Sequence, residues 1–219
     1  MTKSSQLYKP SDIVIITLLA SFALLTAYRF LFTLPVWFDE FVVKAVMFGL
    51  PALILAPKLG VKDLGIALGS KFWQGLYWGL FLGGFYVFVL TLSSWGQDVQ
   101  PHLVSSPSEL FSLVSTALVT GWWESLFFFT FVLQVLMCVW KKKESSALGI
   151  AVLIFLVFHL PARIVAGGTN MMLLAELFTL AVFALGQGIL FLRTKSVYAV
   201  TISHALWGLA LMAYTASPL

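Results

Sequence analysis

Seven long runs of apolar residues, separated by short polar breaks, dominate the chain. The runs cover about residues 12–34, 41–57, 72–95, 110–140, 146–165, 170–192 and 196–215. A helix needs roughly 20 apolar residues to cross a hydrocarbon core of about 30 Å. The pattern therefore predicts an all-α fold, a polytopic transmembrane bundle of about seven helices that forms a single membrane-embedded domain over residues 1–219.

Two parts of the pattern depart from regular spans. The second run is the shortest and contains Pro51 and Pro57, so we expect a helix that is kinked or crosses incompletely. Residues 58–70 are too polar to span and too apolar for a free loop. We interpret them as a short interfacial stretch on the cytoplasmic face.

Composition supports a membrane protein. Of the 219 residues, 60% are hydrophobic and only 10% are charged, whereas a soluble domain carries roughly 25% charged residues. The lipid bilayer is therefore the first predicted partner. The net charge is +4, but the cations lie in the breaks and form no continuous stripe, so nucleic acid is not a predicted partner.

The charges in the breaks indicate an orientation. Every second break is basic, and the breaks between them are acidic or nearly neutral, with Lys44 and Arg163 as mild exceptions. Because cytoplasmic loops carry the excess of Lys and Arg, we expect a cytoplasmic N-terminus in a multi-pass protein of a prokaryotic cell membrane. The basic breaks contain Lys58, Lys62 and Lys71, then Lys141, Lys142 and Lys143, then Arg193 and Lys195; the acidic ones contain Asp39 and Glu40, then Asp98 and Glu109.

Three ionisable residues lie deep inside predicted spans, where insertion of a charged side chain costs about 2.5–3.5 kcal/mol. They are Glu124, His159 and His204, on the fourth, fifth and seventh runs. A buried Glu with two His can activate a water and stabilise an oxyanion, or hold a divalent metal. The alternative is a set of ordinary interhelical polar contacts. We expect the three side chains to converge on one buried site.

Two further charged residues lie nearer the ends of their spans. We interpret Arg29 as a boundary anchor whose side chain reaches the interface. Glu176 is interpreted as an interfacial carboxylate near a helix N-terminus.

The segments around the three deep residues carry short motifs. Residues 155–159, Phe-Leu-Val-Phe-His, match F-x-x-x-H, and residues 204–208 match H-x-x-x-N/D except for Gly208. The segment that starts at Glu124 matches E-E-x-x-x-R only in part, with Ser125 and Phe129 at the second Glu and the Arg. A register shifted by one residue would place Trp123 at the first Glu of this motif. We prefer Glu124 there, because Phe128 then falls where proteins that carry this motif usually have Phe.

Together these motifs resemble the CAAX prenyl protease type II and bacteriocin-processing family, the CPBP or Abi intramembrane endopeptidases. The resemblance covers residues 110–215, which it identifies as a CPBP-like catalytic core. It implies an endopeptidase that cleaves a membrane-associated protein or peptide. Glu124 and His159 would activate the water, and His204 would stabilise the oxyanion.

Other functions remain open at this point. The absence of the motif Arg and Asn makes a catalytically degenerate member, acting as a binding, immunity or scaffold protein, the alternative. The side chains of Phe127, Phe128, Phe129 and Phe131 could fill such a site. No cofactor is predicted outright: zinc is compatible with Glu and His, but no HExxH spacing indicates it. A transporter is disfavoured, since no internal repeat is present.

Overall fold

Seven long helices make up the chain in the computed structural model, which describes residues 9–61, 63–96, 99–102, 104–166 and 170–214. Within these ranges the chain is helical without strands, and all seven helices are long and apolar enough to cross a membrane. The predicted all-α fold is confirmed, and the chain is a multi-pass integral membrane protein. The helices are α1 Pro10–Leu31, α2 Val36–Lys58, α3 Ser70–Gly96, α4 Pro107–Cys138, α5 Glu144–Ala166, α6 Asn170–Thr194 and α7 Val197–Tyr214.

Helix α2 differs most from its prediction. It begins at Val36 and runs for 23 residues, so its length suffices for a complete crossing. Asp39 and Glu40 therefore lie inside the helix and are buried, although their charges suggested a loop. The turns Asp39–Val43 and Ala45–Gly49 are π-helical. Wide turns of this kind often occur at functional sites.

A row of glycines fixes the position of α7. Gly75, Gly79 and Gly83 recur every four residues on α3 and face α7. A Cβ atom at Gly79 would lie only 2.5 Å from the carbonyl oxygen of Ala199. Small residues at this spacing let two membrane helices approach closely. The glycines thus hold α7, which carries His204, against the bundle.

Helix α4 lies at the centre of the bundle and carries Glu124. Its N-terminus is capped by Ser106, whose hydroxyl accepts the backbone N–H of Glu109 at 3.2 Å. Residues Ser125–Val132 are π-helical and fully enclosed. The rings of Phe127 and Phe128 pack against Phe48 on α2 and Phe158 on α5. This aromatic core joins α2, α4 and α5 directly beside Glu124.

The stretch between α2 and α3 is non-helical and closes one end of the bundle. Gly65 accepts the backbone N–H of Val197 at 3.1 Å, and Ile66 accepts the Tyr198 hydroxyl at 2.9 Å. The φ of Gly65 is +74°, a conformation that favours glycine. The side of the membrane on which this stretch lies stays a prediction, and Lys62 falls outside the described residues.

Candidate active site

Glu124 lies where α4 changes from α-helical to π-helical geometry. Its side chain is buried, and its Oε2 atom faces two imidazoles. The Nε2 atom of His159 is 3.5 Å from this oxygen, and the Nε2 atom of His204 is 3.6 Å from it. The predicted convergence of the three residues is confirmed by these distances. Their catalytic role stays a prediction.

The backbone of α5 fixes the proton of His159. Its Nδ1 atom lies 2.8 Å from the carbonyl oxygen of Phe155, four residues earlier. Because a carbonyl oxygen only accepts, Nδ1 must carry the hydrogen. In the neutral ring the Nε2 lone pair then points toward Glu124. Two acceptors separated by 3.5 Å suit a bridging water better than a direct contact.

The ring of His204 is held by packing. It meets Phe183 of α6 edge to face, with 4.8 Å between the centroids. Its Nδ1 atom is buried and has no hydrogen-bond partner among the described residues. The only polar group that either ring nitrogen approaches there is thus the carboxylate of Glu124.

Lys44 is part of the site, and sequence reasoning missed it. Its Nζ atom lies 2.7 Å from Glu124 Oε1 and 2.6 Å from Glu40 Oε2. The hydroxyl of Thr120 donates to the same Glu40 oxygen. The interpretation of Lys44 as a loop cation that departs from the alternation of basic and acidic breaks was therefore wrong. The available signal was the spacing of four residues between Glu40 and Lys44, which places both on one helix face.

Arg29 also belongs to the site region. It forms an ion pair with Asp39 of α2, and both line the same cavity as Glu124. Arg29 lies in the last turn of α1, and its role as a boundary anchor stays a prediction. Glu176, in contrast, does not line this cavity; it lies 3.6 Å from Arg163, which does.

A cavity of about 370 Å³ connects these groups. Its polar side is formed by the charged residues of α1, α2, α4 and α5 together with the two histidines, and its walls are largely apolar and aromatic. The phenylalanines of residues 127–131 pack into the core and leave this space open. Small-molecule pockets span about 300–1,000 Å³, so the cavity can hold water and a short peptide segment.

Three residues depart from the motifs described above: Ser125, Phe129 and Gly208. Phe129 is fully buried against Phe155, with 5.2 Å between the rings, and supplies no charge. The Ser125 hydroxyl is buried and has no hydrogen-bond partner among the described residues. Gly208 lines the cavity, and a Cβ atom there would meet only Ala117, at 3.9 Å. A side chain at position 208 would therefore fit.

The structure also distinguishes the two registers of the first motif. The indole of Trp123 packs over Gly49 of α2, where a Cβ atom would lie 2.6 Å from the ring. Glu124, the next residue, points to the histidines. Glu124, and not Trp123, is thus the residue of this segment that faces the cavity.

The donor set does not favour a metal ion. Although Glu124, His159 and His204 converge, neither they nor any other His, Cys, Asp or Glu side chains in the described ranges form a group that could hold one. The ammonium group of Lys44 already lies against Glu124, and it would repel a second cation there.

A comparison with protein families gives a match in the C-terminal half of the chain. Residues 106–210 match the family described as type II CAAX prenyl endopeptidase Rce1-like. The matched range contains Glu124, His159 and His204, and it leaves Lys44 outside. No curated protein and no solved structure is significantly similar to the chain. The resemblance indicated by the motifs is confirmed over residues 106–210, which match the type II CAAX prenyl endopeptidase Rce1-like family.

Proposed function

We propose that the protein is a CAAX-protease-like intramembrane endopeptidase that hydrolyses a peptide bond of a membrane-associated protein or peptide. One observation carries the proposal: the Oε2 atom of a buried Glu124 faces the Nε2 atoms of His159 and His204 inside a cavity. A carboxylate and an imidazole that share one water form a general-base arrangement.

The reaction follows from these atoms. A water beside Glu124 Oε2 and His159 Nε2 donates one hydrogen to each acceptor. Its oxygen attacks the carbonyl carbon of the scissile bond, and its proton moves to Glu124. His204 donates from Nε2 to the oxyanion that forms. The C–N bond then breaks, Glu124 returns the proton to the leaving amine, and the products are a carboxylic acid and an amine.

The cavity walls suit an apolar substrate segment. Phe155, Phe158 and Trp207 line the space next to the polar groups. The family name indicates a test probe: a fluorogenic peptide that ends in a prenylated Cys-aliphatic-aliphatic-X sequence. The same peptide without the prenyl group tests whether the lipid is required.

The test is cleavage of these peptides by protein reconstituted in liposomes. Glu124→Gln keeps the shape of the side chain and removes the base, so we expect cleavage to fall to background. The matched control is Glu144→Gln, which removes a carboxylate from the exposed start of α5 and is expected to keep normal activity. Cleavage by the Glu124→Gln protein at the wild-type rate would falsify the mechanism.

A catalytically degenerate binding, immunity or scaffold protein is the second candidate. It is favoured by the residues Ser125, Phe129 and Gly208, which leave the family pattern incomplete, and by the ion pair that occupies Glu124 Oε1. This function predicts no cleavage of any peptide and normal biological activity of the Glu124→Gln protein.

We further propose that residues 1–219 form one membrane-embedded domain with residues 110–215 as its catalytic core. The ion pair between Lys44 and Glu124 supports this, because it joins the N-terminal helices to the family core. A prokaryotic cell membrane stays the predicted location.

A further inference from the structure

Four polar side chains form a network of three contacts between α2 and α4. Glu40 and Lys44 are four residues apart on α2, and Thr120 and Glu124 are four residues apart on α4. Lys44 Nζ contacts Glu40 Oε2 at 2.6 Å and Glu124 Oε1 at 2.7 Å. The Thr120 hydroxyl extends the network by donating to Glu40. Each helix thus contributes two members, so the network fixes Glu124 relative to α2.

Lys44 is the cation that reaches Glu124. Among the described residues, no other Lys or Arg lies within ion-pair distance of this carboxylate, since Arg29 pairs with Asp39 and Arg163 with Glu176. The helix that carries Glu124 offers no substitute, because Phe129 is packed against Phe155 where the family pattern has Arg.

The burial of this network strengthens the contact between Lys44 and Glu124. Lys44 and Glu124 are only 6% and 5% exposed. A buried carboxylate without a partner is strongly disfavoured, and an adjacent opposite charge favours the ionised form. The contact also distinguishes the two carboxylate oxygens of Glu124. Lys44 contacts Oε1, and Oε2 faces the two histidines.

We propose that Lys44 is a positioning residue of the site: it is the counter-ion that keeps Glu124 ionised and holds Oε2 toward His159 and His204. A cation from a second helix thereby stands in for the arginine that the family motif places on the helix of the glutamate. The catalytic consequence rests on the proposed peptidase function, whereas the charge state of Glu124 can be measured without it.

The kinetic test uses Lys44→Met and Lys44→Arg beside the Glu124→Gln protein. Lys44→Met keeps the length of the side chain and removes its charge, so we expect kcat to fall by about 100-fold or more, as for loss of other preorganised electrostatic partners. KM is expected to stay within about threefold, because Lys44 is not assigned to substrate binding. Lys44→Arg restores the charge and is expected to retain kcat within about tenfold of wild type. A side chain that only supported the fold would not give this pattern of loss and charge-dependent recovery.

The outcomes separate the two proposals. Wild-type kcat in Lys44→Met, with no cleavage by Glu124→Gln, overturns the role of Lys44 and leaves the peptidase proposal intact. Wild-type cleavage by Glu124→Gln removes the peptidase proposal, and with it the kinetic role of Lys44. If the Lys44→Met protein fails to fold, Lys44→Gln, which is neutral but keeps an amide donor, replaces it in the comparison.

Infrared difference spectroscopy tests the counter-ion role without any substrate. We expect no protonated carboxylic acid signal from Glu124 in the wild-type protein. The signal is expected in Lys44→Met or Lys44→Gln, and it is expected to disappear when Glu124→Gln is added to either variant. Absence of the signal in the neutral Lys44 variants would show that Glu124 stays ionised without Lys44, and it would overturn the proposal.

Discussion

The two carboxylate oxygens of Glu124 face different chemical groups. Oε1 contacts the Lys44 ammonium group at 2.7 Å, and Oε2 faces the two imidazoles at 3.5 and 3.6 Å. The short contact is a charge-assisted hydrogen bond, and the longer ones allow a water beside the pair to bond to both groups. The residue is therefore held at one oxygen and remains available for chemistry at the other.

The two histidines are expected to differ in their effect on activity. His159 shares the attacking water with Glu124, so His159→Ala is expected to reduce cleavage nearly to background. His204 is assigned to the oxyanion, and loss of one such donor reduces kcat by about 10²–10³. His204→Ala is therefore expected to leave measurable cleavage. Single-turnover assays of both variants check the order, and equal residual rates would contradict the assigned roles.

Position 208 offers a gain-of-function test. Gly208 lies at the family's Asn or Asp position, and a Cβ atom there would meet only Ala117 at 3.9 Å. Gly208→Asn adds a donor near the oxyanion, so kcat is expected to rise by about tenfold or more if that donor limits the rate. Gly208→Ala is the control, since it adds the carbon without the donor. An equal response of kcat to both substitutions would contradict the oxyanion explanation.

Sequence reasoning could find Glu124, His159 and His204 because each is isolated inside an apolar run. It could not find Lys44 in the same way. Lys44 lies close to Asp39 and Glu40, and three charges near the end of an apolar run look like a loop. Their role emerges only when α2 is seen to begin at Val36 and to face α4.

At the scale of the helices, hydropathy predicted the number of spans and most of their ends. It placed the start of α2 five residues too late, at 41, because charged residues were assigned to the break. Hydropathy also carries no information on π-helical turns, which affect residues 39–43, 45–49 and 125–132. These turns depend on packing between α2 and α4, so a local pattern does not predict them.

The glycine row on α3 gives a test at the same scale. A Cβ atom at Gly79 would press on the backbone of Ala199, which cannot move without shifting α7. Gly79→Ala is therefore expected to destabilise the protein by about 1–3 kcal/mol, the usual effect of overpacking. Thermal unfolding in detergent measures the change.

The matched control for this substitution lies on the same helix. Gly84 is exposed, and a Cβ atom there would have no neighbour within 4 Å among the described residues. Gly84→Ala makes the same chemical change without the clash, so no loss of stability is expected. A similar loss for both variants would show that α3 itself, and not its contact with α7, sets the response.

For the whole molecule, the charges divide between the two ends of the bundle. Lys58, Lys71, Arg193 and the lysines of residues 141–143 lie at the end where α1 begins. The cavity is lined by Arg29, Asp39 and Arg163, which lie toward the opposite ends of their helices. These three charged residues therefore lie in the half of the bundle away from the basic end, whereas Glu124 lies near the middle of α4.

The basic end is predicted to face the cytoplasm, because positively charged loops are retained there. Labelling of single cysteines in intact cells with a membrane-impermeant maleimide tests this prediction. Cys138→Ser removes the one native thiol, and Ser105→Cys and Lys142→Cys then place a thiol at exposed positions on opposite ends of α4. We expect Ser105→Cys to react in intact cells and Lys142→Cys to react only after permeabilisation.

Under this orientation the ion pair of Arg29 and Asp39, which lines the cavity, lies in the extracytoplasmic half. A substrate of the proposed peptidase would then enter from that side. The reverse labelling pattern would place the N-terminus outside and this ion pair toward the cytoplasm. Reaction of both thiols in intact cells would contradict a crossing by α4.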